Sequence, residues 1–139
     1  FDVKDIKSLQ QRALEHGYAR HVSMPVYLCG YYMSPGIRLE KAGSDVKLCA
    51  LLCLHRGAMD DSLLWPFEHN IILSIIHPLR KAERQLELKP IRSFGAYEKP
   101  SSQSNNPATF AFPSLNLADL LRDGYVSQDQ LRVKWEVLP

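Results

Sequence analysis

A chain of 139 residues with 45% hydrophobic, 9% aromatic and 23% charged side chains has the size and composition of one ordinary globular domain, residues 1–139, and lacks the signature of disorder. Its 17 basic residues nearly cancel its 15 acidic ones, leaving a net charge of +2, so charge predicts neither a nucleic-acid partner nor an anionic membrane. No apolar run approaches the ~20 residues of a membrane-spanning helix, and no membrane insertion is expected.

In chain order, Asp5 stands where it can cap a helix carrying Ile6, Leu9 and Ala13 on one face and closed by Gly17. Residues 46–54 are apolar on both faces and β-compatible, as expected of a central strand covered on both sides. Leu63, Leu64, Trp65, Pro66 and Phe67 predict a buried corner, with large apolar area on the aromatics and a turn set by the proline. The isoleucine-rich run 71–76 reads as a strand, because β-branched side chains lose freedom in a helix and pack well on a pleated surface. Residues 80–84 form a basic hairpin tip leading into an alternating strand at 85–89.

Residues 101–107, Ser-Ser-Gln-Ser-Asn-Asn-Pro, are a surface loop, and Phe110 to Phe112 a further short strand. Ser114 or Asn116 starts a second short helix with Leu117, Leu120 and Leu121, closed by Gly124. At the end, Leu131, Val133, Trp135 and Val137 alternate with Gln130, Arg132, Lys134 and Glu136 as a half-buried strand. Short strands with turn signals between them, and no alternation of strand with helix, predict an all-β antiparallel sandwich of seven to eight strands with one or two short helices.

The candidate chemistry is sparse. Cys49, Cys53 and His55 fall on one face of the central strand, yet their spacing does not supply four zinc ligands without drafting Cys29. Core packing is the expectation for both strand cysteines, and a turn for His55. His16, His21, His69 and His77 fall at turns or strand edges and read as solvated. Asp60 and Asp61 point apart if extended and read as turn caps. No glycine-rich phosphate loop occurs. No cofactor, metal or catalytic residue is expected. Three cysteines, an odd and small number, predict reduced thiols and a cytoplasmic location. The N-terminus lacks a basic-then-apolar leader, and Phe1 without a preceding Met is expected of a piece cut from a longer protein.

The stretch Gly57-Ala-Met-Asp-Asp-Ser-Leu-Leu-Trp-Pro-Phe67, followed by the isoleucine-rich strand, resembles the tumour necrosis factor receptor-associated factors (TRAFs), where a Leu-Pro-Trp-Pro-Phe run occupies the same place; Leu64 replaces the first proline. The resemblance is to their C-terminal TRAF domain, also called the MATH domain, and covers nearly the whole chain in order. Residues 1–6 resemble the opening Trp-Lys-Ile strand, Ser23-Met-Pro-Val-Tyr27 a Ser-Pro-x-Phe-Tyr stretch, Tyr97-Glu-Lys-Pro100 an aromatic-x-basic-Pro element, and Tyr125-Val-Ser-Gln-Asp129 the turn before the last strand.

What the resemblance implies is an antiparallel sandwich that binds short extended peptides of receptor tails or cytoplasmic adaptors by strand addition, as a homotrimer built on a coiled coil in the full-length protein. Nearest is the type that binds a Pro-x-Glu-x-x-aromatic/acidic motif, where an edge carries two aromatics one residue apart. Pro107, Ala108, Thr109, Phe110, Ala111 and Phe112 match that edge, with both phenylalanines as core residues the competing reading. The family's peptide-contacting arginine aligns with Gly36, and Arg38, two residues on, is the candidate replacement; Pro35 and Gly36 are expected to break that strand. The implied role is a signalling adaptor coupled to a ubiquitin- and NF-κB-type pathway in innate-immune or cytokine-receptor signalling. The alternative is a substrate-recognition domain of a ubiquitin-ligase complex, with catalysis on a RING domain or a cullin partner elsewhere.

Overall fold

The computed structural model describes residues 1–91 and 95–139. Its strands are β1 (Asp2–Lys4), β2 (Tyr18–Val22), β3 (Val26–Leu28), β4 (Tyr31–Ala42), β5 (Asp45–His55), β6 (Ile71–Ile76), β7 (Glu83–Leu88), β8 (Ala108–Asn116), β9 (Val126–Ser127) and β10 (Gln130–Val137). Two helices, α1 (Ile6–His16) and α2 (Leu117–Arg122), and one 3-10 turn at Asp60–Ser62 complete the described elements. The strands form two antiparallel sheets, β1-β10-β6-β7 with β9 beside β10, and β2-β4-β5-β8 with β3 beside β4. The sandwich is therefore the expected one. Its strand count rises to ten because β1, β3 and β9 are only two or three residues long, too short to carry a readable alternation. No described helix is long and apolar enough to cross a membrane.

The period-two patterns sort the faces. Val46, Leu48, Ala50, Leu52 and Leu54 of β5 enter the core with Ile37 and Leu39 of β4, facing Leu73, Ile75, Leu131 and Val133 from the other sheet. Cys49, Leu51 and Cys53 alternate onto the outer face of β5 yet are at most 8% exposed, so this strand is covered on both sides as its composition predicts. The corner at 63–67 packs only in part as expected, since Leu64 is 84% exposed and Leu63, Trp65 and Pro66 are half-buried. Phe67 is buried, Tyr31 sits edge-on to both Trp65 and Phe67, and the Trp65 indole donates to the Asp60 carbonyl at 2.9 Å.

Three local expectations need correction. The first concerns β4, which runs unbroken through Pro35 and Gly36. The Pro35 carbonyl accepts from Ser23 N–H at 2.8 Å, so the missing Pro35 donor faces 23–25, where the chain has left β2 and not yet begun β3; no ladder bond is lost. Gly36 is held because its backbone lies against β2.

The second concerns the cap of α1. Asp5 makes no side-chain capping bond; the first-turn amides of Ile6 and Lys7 instead donate to the carbonyl and Oδ1 of Asp129, at 3.2 and 2.9 Å. A residue 122 positions from Lys7 thus satisfies the helix end. For α2 the expectation holds, since Asn116 Oδ1 accepts from Ala118 N–H at 2.9 Å.

The third concerns the histidines, which are not uniformly solvated. His77 is buried: its Nδ1 accepts from the amides of Leu79 and Arg80, and its Nε2 lies 3.1 Å from the Asp123 carbonyl. Two amide donors on Nδ1 leave the ring's proton on Nε2. His69 Nδ1 lies 2.7 Å from the Leu138 carbonyl. The paired aspartates part as expected. Asp60 turns inward to accept from Gly57 N–H at 3.0 Å, and exposed Asp61 pairs with Lys99.

Candidate functional site: the free edge of β8

β8 lies at the end of its sheet and pairs only with β5 among the described residues. Which of its backbone groups are free follows from the ladder. In an antiparallel pair, a residue's N–H and C=O point to one side and its neighbours' to the other. The Leu54 carbonyl accepts from Asn105 N–H at 2.9 Å, so the even-numbered residues of this part of β5 address β8. Ala50 and Leu52 therefore take Phe110 and Ala108, while Thr109, opposite Leu51, turns its N–H and C=O to the open side. Beyond Phe110 the register shifts between Leu48 and Ala50, so residues 111–114 have no partner on β5.

That irregularity separates the two phenylalanines. Phe110 is 5% exposed, opposite Ala50 and 6.2 Å from the Tyr97 ring, and belongs to the core. Phe112, two residues on, is 79% exposed, with Lys47 Nζ 5.6 Å from its ring centroid. The reading in which both are core residues holds for Phe110 alone. Thr109 and Ala111 are exposed and Ala108 is buried.

Between this edge and the end of β7 lies a groove of ≈ 330 Å³. Ala108, Thr109, Phe110, Ala111 and Phe112 form one wall; Lys89, Ile91 and Tyr97 line the rest. Ile91 is 78% exposed beside it, and burial pushes the Tyr97 hydroxyl up to about 12, so it stays a neutral donor and acceptor. A larger apolar cleft of ≈ 580 Å³, with Phe1, Met24, Val26 and Trp135 among its lining, lies beside β10. There the flank of the strand is occupied, since the Phe1 ammonium and carbonyl both bond Val133 at 2.8 Å.

The loop before the edge is tied down. Asn105 donates its side-chain amide to the carbonyls of Ala96 and Glu98, at 3.2 and 2.7 Å. His55 lies between two serines, its Nε2 2.7 Å from Ser34 Oγ and its Nδ1 2.6 Å from Ser104 Oγ. His55 is thus the last residue of β5 and a bridge from β4 to the loop, where the sequence suggested a turn residue. Its burial lowers its basicity, favouring the neutral ring that this bridge uses. Pro107 immediately precedes the edge strand.

Arg38 is not brought to the edge. β5 lies between its strand and β8, and its guanidinium carbon sits 4.1 Å over the Tyr18 ring of β2, with Nη2 3.7 Å from Glu40. Sequence reasoning missed Lys47, Lys89 and Ile91, which come from β5 and the end of β7 and carry no local signal of their own.

Burial pushes the pKa of the Cys49 and Cys53 thiols up and so disfavours their ionisation, and Cys53 Sγ also donates to the Asn105 carbonyl at 3.4 Å. Both are packing groups here, and Cys29 is exposed. Titration of the native protein at pH 8 with an aromatic disulfide reagent is expected to modify Cys29 promptly, and Cys49 and Cys53 only after denaturant is added. Prompt modification of all three would contradict the packing.

The TRAF/meprin MATH-domain model matches residues 19–134. The chain belongs to this family. Among solved structures, 36 chains match. One is TRAF5 of Notothenia coriiceps, similar over 100% of this chain and 72% of that one, with a TM-score of 0.80 and 22% identity, a likeness that shows the fold. No curated protein sequence matches. A MATH domain is a protein-interaction module and not a catalytic one.

Proposed function

We propose that this MATH domain captures short extended peptides by strand addition to the free edge of β8, as a cytoplasmic signalling-adaptor module for receptor tails or adaptor proteins. The single observation that carries the proposal is Thr109, whose N–H and C=O face solvent at the mouth of an apolar groove. An incoming strand gains backbone bonds there, and its alternate side chains reach Ile91, Tyr97 and Phe112. The resemblance to TRAFs that bind Pro-x-Glu-x-x-aromatic/acidic motifs supplies the peptide class, and the ubiquitin- and NF-κB-type pathway belongs to the same reading.

Thr109→Pro tests it. The substitution deletes an N–H that β5 does not use, so the fold is expected to survive while binding of a Pro-x-Glu-x-x-Phe peptide, followed by fluorescence anisotropy, falls about tenfold or more. Unchanged binding in a folded Thr109→Pro protein would place the peptide elsewhere.

A further inference from the structure

β7 also ends its sheet, and among the described residues it pairs only with β6. His77 N–H donates to the Ala82 carbonyl at 3.0 Å, in the same register that sets Ile75 opposite Arg84, so the even-numbered residues of β7 address β6. Glu83, Gln85 and Glu87 therefore turn their N–H and C=O to the open side, three free ladder positions in a row. All three residues are exposed, and no described residue hydrogen-bonds these backbone groups. Leu86 and Leu88 enter the core, which puts the side chains of 83, 85 and 87 on the outer face of the sheet. That row is acidic. Gln85 Nε2 donates to Glu83 Oε2 at 3.0 Å, and neither glutamate is in an ion pair among the described residues.

We propose that the β7 edge is a second strand-addition surface, separate from β8, whose partner is an extended segment with two basic side chains four residues apart. Residues directly opposite in a strand pair share a face, so bases at that spacing stand against Glu83 and Glu87 while the backbones close on all three free positions. A second copy of this chain is the wrong partner. In the antiparallel register that uses all three positions of two β7 strands, Glu83 of each copy faces Glu87 of the other, and like charges directly opposite repel. The same two glutamates thus reject self-pairing and admit a basic strand.

The probe is a capped peptide, Thr-Lys-Val-Thr-Val-Lys-Thr, with Thr-Glu-Val-Thr-Val-Glu-Thr as its control. The lysine peptide is expected to bind about tenfold tighter than the control at low salt, ~1.4 kcal/mol, as for two exposed ion pairs. The preference should shrink at high salt, and the bound peptide should protect the amides of Gln85 and Glu87 from solvent exchange. Replacing both glutamates, Glu83→Gln with Glu87→Gln, should abolish the preference. Gln85→Pro keeps both charges but deletes an N–H that β6 does not use, and should weaken the lysine peptide about tenfold. Thr109→Pro should leave its binding unchanged, which separates this surface from the edge of β8. No binding of the lysine peptide to the unaltered protein would overturn the proposal and leave the glutamates as guards of an unused edge. A preference that survives the double glutamate substitution, or binding that is lost in Thr109→Pro, would overturn it by placing the peptide elsewhere.

Discussion

Phe110→Ala is expected to cost about 3–5 kcal/mol of folding stability, the loss typical of truncating a buried phenylalanine, and to lower the melting temperature by roughly 10 °C or more. Phe110 is packed against Tyr97 and opposite Ala50, and its removal leaves a cavity where the edge strand closes the core. Phe112→Ala, two residues away, is expected to leave the melting temperature nearly unchanged, because the ring is 79% exposed. Its effect should appear in peptide binding, where the apolar area lost is worth ~1–3 kcal/mol, one to two decades in affinity. Thermal unfolding and peptide titration of the same two proteins separate the roles. Equal melting losses would contradict the register shift that parts these residues, and normal binding by Phe112→Ala would remove its ring from the site.

How far such a result could be foreseen depends on where the governing contacts come from. The run 71–76 and the alternation ending at Val137 each contain their own answer, because a strand buried on both faces or on one has a local pattern, and β6 and β10 appear where those patterns lie. Pro35 and Gly36 give no such local answer for β4, because their tolerance depends on what flanks them and not on the residues themselves. Asp129 capping α1 is invisible for the same reason.

At the site, the position of the edge strand was legible, but the facing of its two phenylalanines was not. An i, i+2 pair shares a face only in a regular strand, and the break opposite Cys49 leaves no mark on the sequence Phe-Ala-Phe. Ser34, His55 and Ser104 are separated by 21 and 49 positions, so their bridge exists only after β4 and β5 have paired. Lys47 likewise becomes a neighbour of the edge only through the pairing of β5 with β8, and Lys89 only through the stacking of the two sheets.

Gly36→Ala tests the close approach of β2 and β4, and two opposing effects decide its sign. In an ordinary strand interior, replacing glycine by alanine stabilises by roughly 0.5–1 kcal/mol, since less backbone freedom is lost on folding. Here a Cβ at position 36 would stand 2.5 Å from the His21 carbonyl oxygen, 3.3 Å from Val22 Cα and 3.2 Å from a Leu51 methyl. Leu51 can turn aside, but the His21 oxygen belongs to the paired backbone of β2 and moves only if the strands separate. Overpacking of this kind costs ~1–3 kcal/mol or more, so the clash outweighs the entropic gain and the variant should be destabilised. The loss should be local first: amides of β2 are expected to exchange with solvent sooner than those of β5 and β6, because β2 is the strand displaced, whereas β5 and β6 have partners on both sides. A Gly36→Ala protein with higher melting temperature and unchanged β2 exchange would show that the two strands are not in contact at this point.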